Sequence, residues 1–301
     1  MAMVTVDDGS GGAAAGQSPE AEIVVTRSGT RLDVLLNRPA RHNAFTPAMY
    51  AQLTELFTGL PGEEEIRVVV LRGAGGAAFA AGNDISGFVG MTGQEAATHY
   101  EDMVAAMLRA LAALPQVTVA AIEGVCVGGG LAVATHCDLR VATRDARFGY
   151  PIARTLGNAL SREVILRCLH VFGEPATRSM LLTARLVDAP RAHALGAVTD
   201  LVADAAALDA ELDALVAGIE RCAPVTLQVT KHQLATLTGL TAVASPRGAQ
   251  ADQGAEIDLL RAVYDSPGFR EGVRAFLAKE RPDFPPERLD IAQSSHTAPS
   301  S

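Results

Sequence analysis

The chain has 301 residues, 49% of them hydrophobic, with a mean hydropathy of +0.19 and a formal net charge of -9. That is ample for a large core in one domain or in two unequal ones, and it excludes a chain disordered throughout. The acidic balance, with no Lys/Arg cluster, excludes a nucleic-acid partner, whose phosphates require clustered cations.

Residues 1–20 are rich in Gly and Ala but carry neither the basic start nor the continuous apolar stretch of a signal peptide, so a loose tail is expected. No run approaches the roughly 20 apolar residues of a membrane span, which predicts a soluble protein with no membrane partner. From there, Ile23 to Thr26 and Leu32 to Leu36 predict paired strands around Ser28-Gly29, and Asn37-Arg38-Pro39 breaks the pattern. Met49, Leu53, Leu56, Phe57 and Leu60 fall at helical spacing before the stop at Pro61-Gly62. A strand is predicted over Arg67 to Leu71. A helix then carries Tyr100, Met103, Val104, Met107, Leu108 and Leu111 on one face and ends at Pro115.

The apolar strand Val117 to Ile122 leads into Gly124-Val-Cys-Val-Gly-Gly-Gly-Leu131, where glycines close a strand and open a helix. The first turn of a helix leaves NH donors without internal partners, and glycine permits close backbone approach, so this junction suits developing negative charge. A further strand spans Leu139 to Ala142. Alternating strands and helices, the strands nearly all apolar, predict an α/β core with a parallel-leaning sheet covered on both faces. Beyond Asp204 the pattern is helical, with Leu208, Leu212, Leu215, Val216 and Ile219 marking one helix and Ile257, Leu260 and Tyr264 another. The expected organisation is a tail at 1–20, the α/β core at 21–204, a helical region at 205–290 and a loose end at 291–301. The cysteines Cys126, Cys137, Cys168 and Cys222 form no CxxC pair, which predicts buried reduced thiols and a cytoplasmic location.

Gly73-Ala-Gly-Gly-Ala-Ala78 fits a loose dinucleotide fingerprint after a strand. That fingerprint demands a helix opening there, and Gly82 and Asn83 argue against one. A second loop, Phe79-Ala-Ala-Gly-Asn-Asp-Ile-Ser-Gly-Phe88, offers another backbone NH. The pairing of this Ala-Gly-Asn-Asp loop with the downstream Gly-Gly-Gly helix start resembles the crotonase superfamily, the enoyl-CoA hydratase/isomerase family. Leu36 to Ala44, Val68 to Gly76, Ala121-Ile-Glu-Gly124, Cys137-Asp138-Leu-Arg140 and Phe148-Gly-Tyr-Pro151 extend the resemblance in collinear order from Ile23 to Pro285.

The resemblance implies a ββα spiral core with a helical C-terminal region, an acyl-CoA thioester as ligand, no separate cofactor or metal, and a homotrimer or dimer of trimers. It assigns the backbone NH groups of Ala81 and Gly129 to the thioester oxygen, and the loop Ala81, Gly82, Asn83 and Asp84 to binding of the CoA substrate. Asp84 is expected to serve loop structure more than catalysis. Arg41 and His42, with Lys279 and Arg281 near the C-terminus, match basic stretches that meet CoA. The two glutamates of the hydratases fall here on Ala132 and Ile152, which transfer no proton. Substitute groups are sought in the loop Ile152 to Glu163. Ser161 falls where dienoyl-CoA isomerases carry an aspartate, though it also reads as a helix N-cap. Arg154 suits an anionic substrate group and Tyr150 a proton donor. Glu163 reads as a solvated helix residue, and His136 as a packing histidine pointing elsewhere. Two functions follow: an enzyme that forms or protonates a thioester enolate with unconventional groups, or a non-catalytic protein that binds or senses acyl-CoA.

Overall fold

Runs of valine, isoleucine and leucine form the strands, and the computed structural model describes residues 21–88, 90–238, 249–289 and 291. The expected tail at 1–20, and all of the expected loose end at 291–301 except Ile291, lie outside the described residues. The hairpin β1 (Ile23–Ser28) and β2 (Arg31–Leu36) pairs antiparallel, Ile23 opposite Leu36. Helix α1 (Pro47–Gly59) starts where Thr46 accepts a hydrogen bond from the Met49 amide and Pro47 presets the first turn. It buries Met49, Tyr50, Leu53 and Phe57. Strand β3 (Val68–Gly73) is apolar on both faces over Val68 to Leu71, as a central strand of a covered parallel sheet must be.

After β3 the chain repeats one unit. A strand of the large sheet is followed by a short strand and then by helix: β3 by β4 (Ala78–Ala80), with α2 (Gly93–His99) and α3 (Ala106–Ala112) joined through a π-helical stretch at Tyr100–Ala105. Next come β5 (Val117–Ile122), β6 (Val125–Val127) and α4 (Gly129–His136). The third unit is β7 (Leu139–Thr143), β8 (Arg147–Gly149), the short α5 (Ile152–Thr155) and α6 (Arg162–Thr183), which bends at Gly173. Then β9 (Val187–Asp188), α7 (Ala189–Ala194) and β10 (Asp200–Val202) close the core. The large sheet has the order β1-β2-β3-β5-β7-β10, parallel except at its β1 edge. The small sheet runs β4-β6-β8-β9, with only β9 antiparallel.

This is the expected ββα spiral. The small sheet was not anticipated, because strands of three residues are too short to show a period. The dinucleotide alternative fails: the segment after Gly73 turns directly into β4 and no helix opens.

One compact unit ends at Val216, inside α8 (Ala205–Glu220), and a second begins at Ala217. In the first, Arg72 of β3 joins Glu123 at 2.6 Å and Asp209 of α8 at 2.5 Å. The second unit holds α9 (Pro224–Leu237), α10 (Ala249–Tyr264) and α11 (Pro267–Ala278). Its small core gathers Val225, Val229 and Leu259, and Gln228 both donates to and accepts from the Leu289 backbone, at 2.6 and 2.9 Å. On α10 the expected markers Ile257, Leu260 and Tyr264 are exposed, and Leu259 is the residue that turns inward. Among the described residues no helix is long and apolar enough to cross a membrane. Cys126, Cys137 and Cys168 are buried as expected; Cys222, in the turn after α8, is exposed and corrects that reading.

Arg140 is the principal polar tie of the core. Its buried guanidinium donates to the carbonyls of Ala197 at 2.6 Å, Cys137 at 2.9 Å and Ala134 at 3.1 Å, the last two at the end of α4. Arg140→Ala leaves these carbonyls buried without that donor and is expected to lower the unfolding free energy by about 2–5 kcal/mol, measured by urea denaturation.

Candidate active site

Two backbone segments meet at the site. The first is the loop after β4, which is stitched to the segment before α1. The Ala81 amide donates to the His42 carbonyl at 2.9 Å, Phe45 donates to the Gly82 carbonyl at 2.8 Å, and Asp84 donates to the Phe45 carbonyl at 2.8 Å. Gly82 sits at φ +103, a region closed to most side chains, so the chain turns there between Ala81 and Asn83. Buried Asn43 ties the same corner, donating to the Ala78 and Ala74 carbonyls at 2.7 and 3.0 Å while its Oδ1 accepts from the Arg38 amide. Arg38 donates to the Ala44 carbonyl at 2.6 Å and pairs with Glu22 at 2.9 Å and Asp84 at 3.1 Å. Asp84 also accepts from the Ser86 amide and hydroxyl. These bonds, those from Ser86 first and Arg38 after, hold its carboxyl below the usual range. Asp84 is thus a brace of the loop.

The second segment is the junction of β6 with α4. Gly128 donates to the Gly149 carbonyl at 3.1 Å, and Gly129 opens the helix. The two segments approach so closely that a Cβ on Gly129 would lie 2.5 Å from Asn83 Oδ1, 3.1 Å from the Tyr50 hydroxyl and 3.4 Å from Gly82 Cα. Tyr50 donates to Asn83 Oδ1 at 2.5 Å and stacks on Phe45 with ring centroids 5.2 Å apart. Among the described residues, no group accepts from the Asn83 or the Gly129 amide. Both residues are half-buried, within reach of a ligand.

This geometry corrects the assignment of Ala81 as a donor. An amide has one hydrogen, and that of Ala81 is given to His42 within the loop. The loop residue facing Gly129 is Asn83, two positions on. The sequence reading places Asn83 among the residues that bind the CoA substrate, not as a donor to the thioester oxygen, and it does not include Tyr50. A tyrosine beside Met49 on the apolar face of α1 was the one signal for it, since a buried phenol seeks a partner for its hydroxyl.

The remaining sequence-derived residues are spread over several elements. Ala132 is buried in the first turns of α4, and Ile152 begins α5 half-buried against the core. Tyr150 is fully buried. Ser161 caps α6, its hydroxyl accepting from the Val164 amide at 3.3 Å. Arg154 is exposed in the last turn of α5. Arg41 and His42 lie exposed in the turn before Asn43, where the His42 carbonyl takes the Ala81 bond. In the second unit Lys279 closes α11 in a left-handed conformation, and it and Arg281 are exposed.

His136 and Glu163 depart from expectation. His136 lies one turn beyond Ala132 and so shares its side of α4 instead of pointing elsewhere. Its Nδ1 is 2.7 Å from the Ala132 carbonyl and its Nε2 is 3.6 Å from Glu163 Oε1. A carbonyl only accepts, so Nδ1 is the donor in the contact with Ala132. Glu163 is therefore a half-buried partner of a histidine rather than a solvated residue.

Strand order, helix placement and loop geometry of this kind define a class already known from solved structures. An enoyl-CoA hydratase/carnithine racemase from Magnetospirillum magneticum superposes with a TM-score of 0.79 at 34% identity, covering 89% of this chain and 96% of that one. Among relatives by sequence, a Thermus thermophilus protein that carries the name enoyl-CoA hydratase is 33% identical over 83% of this chain and 96% of its own length. The 2,3-dehydroadipyl-CoA hydratase of Escherichia coli is 29% identical over 87% of this chain and 98% of its own. The pattern of the enoyl-CoA hydratase/isomerase family matches residues 27–287, and the chain belongs to that family, within the crotonase superfamily.

The Glu163 carboxyl is held below the usual range, first by its interaction with the His136 imidazole 3.6 Å away. A group with a depressed folded pKa stabilises the fold fully above its unfolded value, about 4.3, and loses that contribution as pH falls through the lower folded value. The stability advantage of the parent over Glu163→Gln should therefore shrink as pH falls below the unfolded value of about 4.3, as read by urea unfolding over a series of acidic pH values.

Proposed function

We propose that the chain binds an acyl-CoA thioester with its carbonyl oxygen between the backbone NH groups of Asn83 and Gly129, stabilising the enolate that forms when the α-carbon loses or awaits a proton. The single observation that carries this reading is the close face-to-face placement of Asn83 and Gly129, with both amides uncommitted among the described residues. Each preorganised donor of this kind is worth about 10² to 10³ in rate, because it acts where charge develops. Gly129 also heads a helix, whose first-turn amides favour an anion. Arg41 and His42, and in the second unit Lys279 and Arg281, are the proposed contacts for the CoA phosphates. CoA then enters as part of the substrate and no separate cofactor is required. A homotrimer or dimer of trimers in the cytoplasm is proposed with it.

Simple hydration of an enoyl thioester is not the proposed reaction. By the family resemblance, Ala132 and Ile152 occupy the two glutamate positions, and each lost acid or base removes about 10² to 10⁴ in rate, or about 3–5 kcal/mol of barrier. Ser161, Arg154 and Tyr150 remain candidates for proton transfer or charge stabilisation. A chain that binds the thioester without turning it over is favoured by the same two apolar residues, and turnover separates the readings.

Calorimetric titration with acyl-CoA thioesters of increasing chain length is expected to show binding, and affinity for none of them would overturn the proposal. Crotonyl-CoA hydration should run far below the enzymatic norm of about 10 per second, followed by mass spectrometry. The Ala132→Glu, Ile152→Glu double variant is expected to raise it by about 10² or more. A parent rate at the norm would refute the assignment of those two positions.

A further inference from the structure

An oxyanion site must present donors, yet the side chain nearest Gly129 brings an acceptor. Asn83 Oδ1 lies 2.5 Å from where a Cβ of Gly129 would stand, so on the proposed reading its lone pairs sit beside the helix start that meets the negative charge. Left bare, that oxygen would repel the charge, and in a partly desolvated site the repulsion is stronger than in water. The Tyr50 hydroxyl donates to this very atom, at 2.5 Å. It also stands 3.1 Å from the same Cβ position, so Tyr50, Asn83 and Gly129 converge on one point.

We infer that Tyr50 is a positioning residue of the oxyanion site: its hydroxyl caps the Asn83 side-chain oxygen and holds Asn83 so that its backbone NH, rather than its side-chain carbonyl, faces the substrate oxygen. The inference rests on the proposed thioester site and adds to it a side chain that the family pattern of backbone donors does not require. Tyr50 is suited to the task because nothing about its own position is loose. It is 2% exposed, sits on α1 and stacks on Phe45, whose backbone in turn accepts from Asp84 and donates to Gly82. The phenol therefore reaches Asn83 from a rigid element already stitched to both sides of it. A phenylalanine at position 50 keeps the ring and its stacking and removes only the cap.

The test uses cinnamoyl-CoA, whose conjugated chromophore absorbs further to the red when its thioester carbonyl is polarised, so it reports the hole without requiring turnover. The full-length parent is expected to bind it with a red shift. Tyr50→Phe should bind with a Kd within about threefold of the parent yet lose at least half of that shift, a split between affinity and polarisation that general loosening would not produce. In the Asn83→Ala background, adding Tyr50→Phe should change the shift no further, because the atom it acts on is gone. A ring-fluorinated tyrosine at position 50, a stronger donor of nearly the same shape, should preserve or increase the shift, and this arm holds even if Tyr50→Phe folds poorly.

A full red shift in Tyr50→Phe overturns the inference alone. So does an equal loss with and without the Asn83 side chain, which would mean that Tyr50 acts through packing, or a loss with the fluorinated ring. A parent that binds cinnamoyl-CoA with no red shift overturns the oxyanion reading and this inference with it.

Discussion

Everything at this site depends on one contact that excludes a side chain: the approach of the Asn83 loop to the first residue of α4. A methyl group on Gly129 would collide with Asn83 Oδ1 and crowd the Tyr50 hydroxyl and Gly82, so glycine there is a steric requirement. The approach sets Asn83 beside Gly129, and on the proposed reading their two amides serve one ligand oxygen. Such an arrangement has value only if it is rigid, because donors that must reorient as charge develops give back part of what they contribute.

Rigidity comes from the repeat of the chain. Each strand of the large sheet is followed by a short strand of the small one, and the small sheet places the ends of β4, β6 and β8 side by side. The loop after β4 and the helix start after β6 are thus neighbours because β4 and β6 are hydrogen-bonded neighbours. Side chains then lock the corner. Asn43 bridges β4 to the turn before α1, and Arg38 joins Glu22, the Ala44 carbonyl and Asp84. Arg38 and Asp84 are thus engaged in holding the loop. A similar tie lies one turn below Ala132, where His136 and Glu163 join α4 to α6, the helices that flank the two apolar positions.

Membership of the enoyl-CoA hydratase/isomerase family and the chemistry of this chain are separate matters. The family names a scaffold, and on the proposed reading that scaffold delivers two backbone donors to a thioester oxygen. The fate of an enolate held there would depend on the side chains around it, and α4 and the short α5 carry Ala132 and Ile152 at the places the resemblance gives to glutamates. Electrostatic stabilisation and proton transfer are different contributions of similar size, and a fold can keep the first while the second changes.

The sequence by itself determined the α/β core, the helical C-terminal region, the strand over Val117 to Ile122 and the start of a helix in the glycine run at Gly129, since apolar periodicity and clustered glycines are local signals. It also determined the rejection of a dinucleotide site, because no helix pattern follows Gly73. It did not determine which loop residue faces Gly129. Ala81 and Asn83 are two positions apart in the same motif, and only the bond from Ala81 to the His42 carbonyl removes the first from consideration. Nor could it pair Tyr50 with Asn83 or His136 with Glu163. These pairs join residues on different elements, and their distances follow from how β4, β6, α1, α4 and α6 pack. Hydrogen-bond commitment is a property of the folded chain: the sequence names the donors, and the tertiary structure decides which remain for a ligand.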